Sequence, residues 1–163
     1  MELSKKAFKA YDIRGIVPGE VNAELAYRVG RVFAAMFAAE TAVVGHDIRL
    51  TGPELANAVA DGLRDGGCTV YDIGECGTEM VYYATAHLNT DGGIMVTASH
   101  NPADYNGMKL VRSGARPVSS DTGLMDIGRM ATEEGEFPHV VVAGKERGKL
   151  IKIDIMPDYI KLY

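Results

Sequence analysis

Three β-type runs, Ala42-Val43-Val44, Cys68 to Ile73 and Gly93 to Val96, recur roughly one βαβ unit apart, with a helical pattern in each gap. Short apolar strands separated by helices can bury both of their faces only in a layered α/β sheet, which makes this rhythm the tightest constraint on the fold. The first gap opens with Thr51-x-x-Glu54, a capping-box pattern with Pro53 in the first turn. It carries Leu55, Val59 and Leu63 on one face and stops at Gly66-Gly67. The second gap opens at Thr78, a plausible N-cap, and sets Val81, Tyr82, Thr85 and Leu88 on one stripe before Asn89 breaks it.

Ahead of these units, Leu25, Val29, Val32, Phe33, Met36 and Phe37 fall at helical spacing and predict a helix from about Asn22 to Ala39 packed on the sheet. After them, Asn106-Gly107 is a tight-turn signal, and Met108 to Val111 reads as a short strand returning antiparallel to the Ile94 run, so the sheet is expected to be mixed. Thr122 to Thr132 reads as a weak helix interrupted by Gly128, and Glu133 to Gly148 as a polar connection. Leu150 to Ile155 alternates as a strand does, and Pro157 sits where a helix begins.

Composition narrows the partners. A chain of 163 residues with 47% hydrophobic and 24% charged content is ordinary for one globular domain. A net charge of -5, with no basic block beyond Lys5-Lys6, argues against nucleic acid. The amino terminus lacks a signal-peptide core, and the longest apolar run, Val32 to Ala39, is too short to span a bilayer, so no membrane partner and a cytoplasmic location are expected. Cys68 and Cys76 have no metal-finger spacing and read as free thiols or small buried hydrophobes. His46, His87 and His139 have no spacing that supports a metal site.

In open α/β sheets, ligands gather beyond the carboxyl ends of the parallel strands. The strand at Ala42 delivers Gly45-His46-Asp47 and Arg49 there, and the strand at Gly93 delivers Thr97 to Asn101. The segment FKAYDIRG, residues 8–15, carries Lys9, Tyr11, Asp12 and Arg14 as further candidates, although the sequence alone does not bring it to that edge. Singly these residues have duller readings: Tyr11 as core, Arg14 and Arg49 as solvated or internally paired, Asp47 as a helix cap or the partner of Arg49. A hydrolase triad on Ser99 is disfavoured, because G-x-S-x-G is absent and an adjacent His100 is badly placed as its base. Dinucleotide and P-loop sites are disfavoured too, since VVGHDIRLTG has no G-x-G-x-x-G and no Walker pattern occurs. A serine that carries phosphate needs an exposed stiff loop, nearby cations and a proton-transfer group. Ser99, the Asn101-Pro102 pair and Lys109 supply that combination.

"TASHNP" followed by "DYNGMKL" resembles the phosphoserine loop of the α-D-phosphohexomutases, and "KAYDIRG" resembles their amino-terminal signature. "VVGHDIRLT" and "DGGIMVTASHNP" fall in the order and approximate spacing of that family's first domain, so the resemblance covers nearly the whole chain. It implies a three-layer α/β/α fold with a mixed, mostly parallel sheet, residues 1–155 as the first domain and 156–163 as the start of a connection to an absent second domain. It further implies that Ser99 carries the phosphoryl group, with His100 and Lys109 as catalytic neighbours and Tyr11, Arg14 and Asn101 as substrate contacts. One Mg²⁺ would bind through the phosphate on Ser99, a hexose phosphate would be the substrate, and a hexose 1,6-bisphosphate the intermediate. "ADYNGMKLV" looks more like the branch handling mannose and glucose phosphates than the glucosamine branch. The Asp-Gly-Asp-x-Asp-Arg and Arg-x-Ser-Gly-Thr loops of the family's later domains do not occur here, so the remaining domains are expected partners and the chain alone is expected to be inactive. The alternatives are a mutase domain acting on glucose or glucosamine phosphate, or a non-catalytic sugar-phosphate-binding module.

Overall fold

Residues 5–133, 136–140 and 146–157 are described by the structure, a computed structural model. Seven strands form one sheet: β1 (Ile13–Ile16), β2 (Thr41–His46), β3 (Thr69–Glu75), β4 (Gly92–Val96), β5 (Tyr105–Arg112), β6 (Arg116–Pro117) and β7 (Leu150–Lys152). The order across the sheet is β1-β5-β4-β2-β3-β7, with β6 pairing β5. β4, β2, β3 and β7 pair parallel with one another, while β5 is antiparallel to β1, β4 and β6, so the sheet is mixed and mostly parallel as expected.

Helices α1 (Ala23–Met36), α2 (Gly52–Asp65) and α4 (Leu124–Thr132) contribute to one core, and α3 (Thr78–His87) to a second, which makes three layers. Strand alternation divides the side chains between them. Ala42, Val44, Ile94, Val96, Met108 and Leu110 enter the larger core, whereas Val43 and Met95 point the other way and meet Met80, Val81 and Ala84 of α3. α1 starts where Asn22 Oδ1 accepts the Leu25 amide at 2.9 Å and so caps the helix. α1 and α2 approach backbone to backbone: a Cβ on Gly30 would strike the Val59 carbonyl, and one on Gly62 the Tyr27 carbonyl. No helix among the described residues is long and apolar enough to cross a membrane.

Five local expectations differ from the structure. Thr51 does not cap α2 with its side chain, because its hydroxyl accepts Asn106 Nδ2 at 2.8 Å instead. Gly77, not Thr78, is the N-cap of α3. Asn106-Gly107 is not a turn but lies inside β5, which begins at Tyr105. Gly107 is required there by close packing, since a Cβ would collide with the Ile13 carbonyl of β1. The strand at the end of the chain is shorter than expected, Leu150–Lys152. The polar connection expected from Glu133 to Gly148 contains a short helix, α5 (Phe137–Val140), and residues 134–135, 141–145 and 158–163 lie outside the described residues.

Candidate functional site

β2 and β4 are parallel neighbours whose last residues, His46 and Val96, are in register, so their loops leave from the same edge of the sheet. The Asp47 amide donates to the Val96 carbonyl at 3.0 Å, and the Thr97 hydroxyl donates to Asp47 Oδ2 at 2.6 Å, tying the two loops together at their roots. Thr97 Oγ1 in turn accepts the Ser99 amide at 3.0 Å. Ala98 is buried, but Ser99 and His100 are exposed. Ser99 has a φ of 55°, in the left-handed region that a residue with a Cβ enters only at a cost.

Arg49 crosses from the β2 loop to the β4 loop. Its Nη1 donates to the carbonyls of Pro102 and Tyr105 at 2.7 and 3.0 Å, and its Nη2 to those of Ser99 and Asn101 at 2.9 and 2.7 Å. Its Nε has no hydrogen-bond partner but lies 3.5 Å from Asp47 Oδ2, an ion-pair distance. Asp47 is therefore structural, and its partner is Arg49, as expected. Asp47 Oδ1 also accepts the Arg49 amide at 3.1 Å.

The amino-terminal segment reaches the same edge through β1. Ile13 pairs with Met108 across the antiparallel ladder, so one residue further along Asp12 faces Lys109, and alternation turns Asp12, Arg14 and Lys109 away from the face that Ile13 and Met108 pack. Asp12 is buried and accepts from both cations: Lys109 Nζ at Oδ2 and Arg14 Nε at Oδ1, each 2.9 Å. Arg14 Nη1 continues to Asn101 Oδ1 at 3.1 Å. A hydrogen-bonded line Lys109, Asp12, Arg14, Asn101 thus runs into the Ser99 loop, with two cations to one carboxylate. Tyr82 of α3 stands close enough to feel this pair: burial pushes its phenol above the ordinary value, Lys109 pulls it down and Asp12 pushes it up.

Lys109, Arg14 and Asn101 are therefore linked to one another, and Ser99 and His100 belong to the same loop as Asn101. Tyr11 departs from the core reading. It is 78% exposed because Asp12 and Ile13 take the two faces of the sheet while Tyr11 lies outside the strand. Tyr11 and His100 make no side-chain hydrogen bond to the described residues. No group of three or more His, Cys, Asp and Glu converges on a metal position among the described residues.

Comparison with known proteins gives this edge a lineage. A family model described as "Phosphoglucomutase/phosphomannomutase, alpha/beta/alpha domain I" matches residues 5–136. The chain belongs to the phosphoglucomutase/phosphomannomutase family. A phosphomannomutase of Salmonella typhimurium is 54% identical over 153 residues, covering 94% of this chain and 33% of that protein. One of Klebsiella pneumoniae, also 54% identical, covers 94% of this chain and 96% of its own shorter sequence. The crystal structure of a phosphoglucomutase/phosphomannomutase family protein from Burkholderia thailandensis superimposes with a TM-score of 0.81 at 32% identity, over 98% of this chain and 35% of that one. The chain thus spans about a third of the length of most of the curated relatives it matches.

Within this phosphoglucomutase/phosphomannomutase domain, sequence names Arg49 and Asp12 as candidates but not what they do: Arg49's four carbonyl bonds and Asp12's partner Lys109, 97 positions away, appear only in the structure. Strand polarity supplies the missing signal: once Ile13–Ile16 is placed antiparallel to β5, the register sets Asp12, just before it, opposite Lys109.

Proposed function

We propose that this chain is the first domain of a cytoplasmic phosphomannomutase, with residues 1–155 forming the domain and 156–163 beginning the connection to further domains. Ser99 carries the phosphoryl group. The Oγ–P bond breaks as a hydroxyl of the hexose phosphate bonds to phosphorus, giving a hexose 1,6-bisphosphate. After the sugar turns around, Ser99 Oγ takes the other phosphoryl group, so mannose 6-phosphate and mannose 1-phosphate interconvert. Lys109 takes the proton of the attacking sugar hydroxyl and gives one to the departing Ser99 Oγ in the first half, and in the second half takes it back from Ser99 and gives it to the freed sugar oxygen. Arg14, Asn101, His100 and Tyr11 would face the hexose phosphate from the amino-terminal segment and the serine loop.

The observation that carries this reading is an exposed hydroxyl held at φ 55° at a strand end, on a loop pinned by Arg49 and bonded to Arg14. Strain retained at a reactive group by surrounding bonds is the pattern of preorganisation. The names of the relatives support mannose phosphate as the substrate. Mg²⁺ would be held through the phosphate on Ser99, a hard oxygen donor of the kind that ion prefers, since no acidic cluster among the described residues offers a site and Asp12 and Asp47 already pair with cations. When bound, the ion neutralises charge on the transferring group. Its other ligands would come from outside this chain.

The test is peptide mapping of the full-length protein after incubation with a hexose 1,6-bisphosphate. One phosphate on Ser99 is expected. A phosphate on another residue, or none, overturns the assignment.

A further inference from the structure

Beside a serine that carries phosphate, a guanidinium is ordinarily read as a phosphate ligand, because its planar fork matches phosphate oxygens. The donors of Arg49 are spent elsewhere. A guanidinium has five N–H groups. Four of Arg49's point at the carbonyls of Ser99, Asn101, Pro102 and Tyr105, and its Nε faces the Asp47 carboxylate. Its side chain is only 11% exposed. To meet a phosphate it would have to release four bonds already made, each to the loop whose shape presents the hydroxyl.

We propose that Arg49 is a positioning residue that binds no phosphate: it holds residues 99–105 in the one conformation that presents the Ser99 hydroxyl. This rests on the reading of Ser99 as the phosphoryl carrier. Left to itself, a loop with a non-glycine residue at positive φ relaxes toward commoner backbone angles. The four carbonyl bonds oppose that relaxation, and the one to Ser99 itself acts on the strained residue. Asp47 supports Arg49 from below, and Thr97 ties Asp47 to the root of the same loop. Misplacing a reacting group by about 1 Å costs on the order of 10²-fold in rate, which is the scale the clamp controls.

Arg49→Lys and Arg49→Met in the full-length protein separate a clamp from a ligand. Both are expected to slow phosphate uptake on Ser99 from a hexose 1,6-bisphosphate by roughly 100-fold. The half-saturating bisphosphate concentration should change less than about threefold, because uniform binding is not what is lost. Lysine should not rescue, since one ammonium cannot bridge four carbonyls. Amide exchange at residues 99–105 should quicken while β2 and β4 stay protected. The proposal falls if lysine restores the rate, if half-saturation rises with the rate unchanged, or if loop exchange does not move. Should Arg49→Met fail to fold, Arg49→Lys decides, because it keeps a cation opposite Asp47. If the unmodified protein takes up no phosphate on Ser99, the mutase reading fails alone, and the exchange comparison still decides whether Arg49 holds the loop.

Discussion

On one face of the sheet, α1, α2 and α4 close over Ile13, Val44, Ile94, Met108 and Leu110, whereas on the other α3 packs near Val43 and Met95 while Asp12, Arg14 and Lys109 lie across β1 and β5. The first face buries far more apolar side chains, and apolar burial contributes about 25 cal/mol for each Å² withdrawn from water. Most of the domain's stability therefore resides there. The second face gives up apolar area and in return can hold a buried carboxylate between two cations, beside a loop under backbone strain. Stability and chemistry are divided between the two sides of one sheet, so a substitution on either side should report mainly on one of them.

The largest expected effect is on the chemical side alone. If Ser99 carries the phosphoryl group as proposed, Ser99→Ala removes the hydroxyl that accepts it, so turnover of the full-length enzyme should fall by roughly 10⁴-fold or more. Its thermal midpoint should stay within about a degree or two, because an exposed hydroxyl adds little to stability. A large drop in the midpoint would mean that the two sides are not separable. The reciprocal experiment is Gly62→Ala on the α2 side, which drives a methyl into the Tyr27 carbonyl and forces α1 and α2 apart. The expected loss is about 3 kcal/mol in urea denaturation. An unchanged midpoint would show that the helices slide freely and that this face is looser than its packing implies.

Asp12→Asn lies on the boundary and sharpens the comparison. It leaves Lys109 and Arg14 without their shared counter-charge and turns amide hydrogens toward one of them. Breaking a buried pair costs roughly 3–5 kcal/mol, but both cations are partly solvated here, so about 2 kcal/mol is expected, together with a lower rate of phosphate uptake. A rate loss with no change in stability would assign Asp12 to orienting Lys109 alone.

How much of this was legible beforehand follows from the range of each interaction. The parallel units and α1 are written in local periodicity, the mixed sheet is correctly expected but from a turn signal that the structure does not bear out, and the Ser99 loop stands out because its reactive residues are consecutive. Asn106-Gly107 misled because a dipeptide signal cannot register that a neighbouring strand passes within a methyl's width of Gly107. Thr51 misled in the same way, since its hydroxyl is claimed by Asn106, 55 positions away. Arg49 and Asp12 act through partners on other strands and loops, so their roles appear only once strand order is known.

Cys76 offers the smallest effect and a titratable probe of the thinner side. It is half-buried just after β3 and packs against the cluster beneath α3. Burial pushes its thiol from the ordinary 9.0 up to about 11; Asp72, Asp47 and Glu75 push the same way, and a backbone hydrogen bond at His46 opposes them. The sign follows from which state keeps its proton. Below pH 9 both folded and unfolded chains hold it, and the contribution to stability is complete. Between about 9 and about 11 the unfolded chain releases a proton that the folded chain retains, so stability falls as pH rises, and above about 11 the loss levels off. Tyrosines and lysines titrate in the same window, so the useful quantity is the difference between this chain and Cys76→Ala in urea midpoints from pH 8.5 to 11. The unsubstituted chain should lose stability more steeply across that window. Parallel slopes would mean that the thiol is solvated, and that α3 covers the sheet less closely than the packing of Val81 and Cys76 around Gly45 indicates.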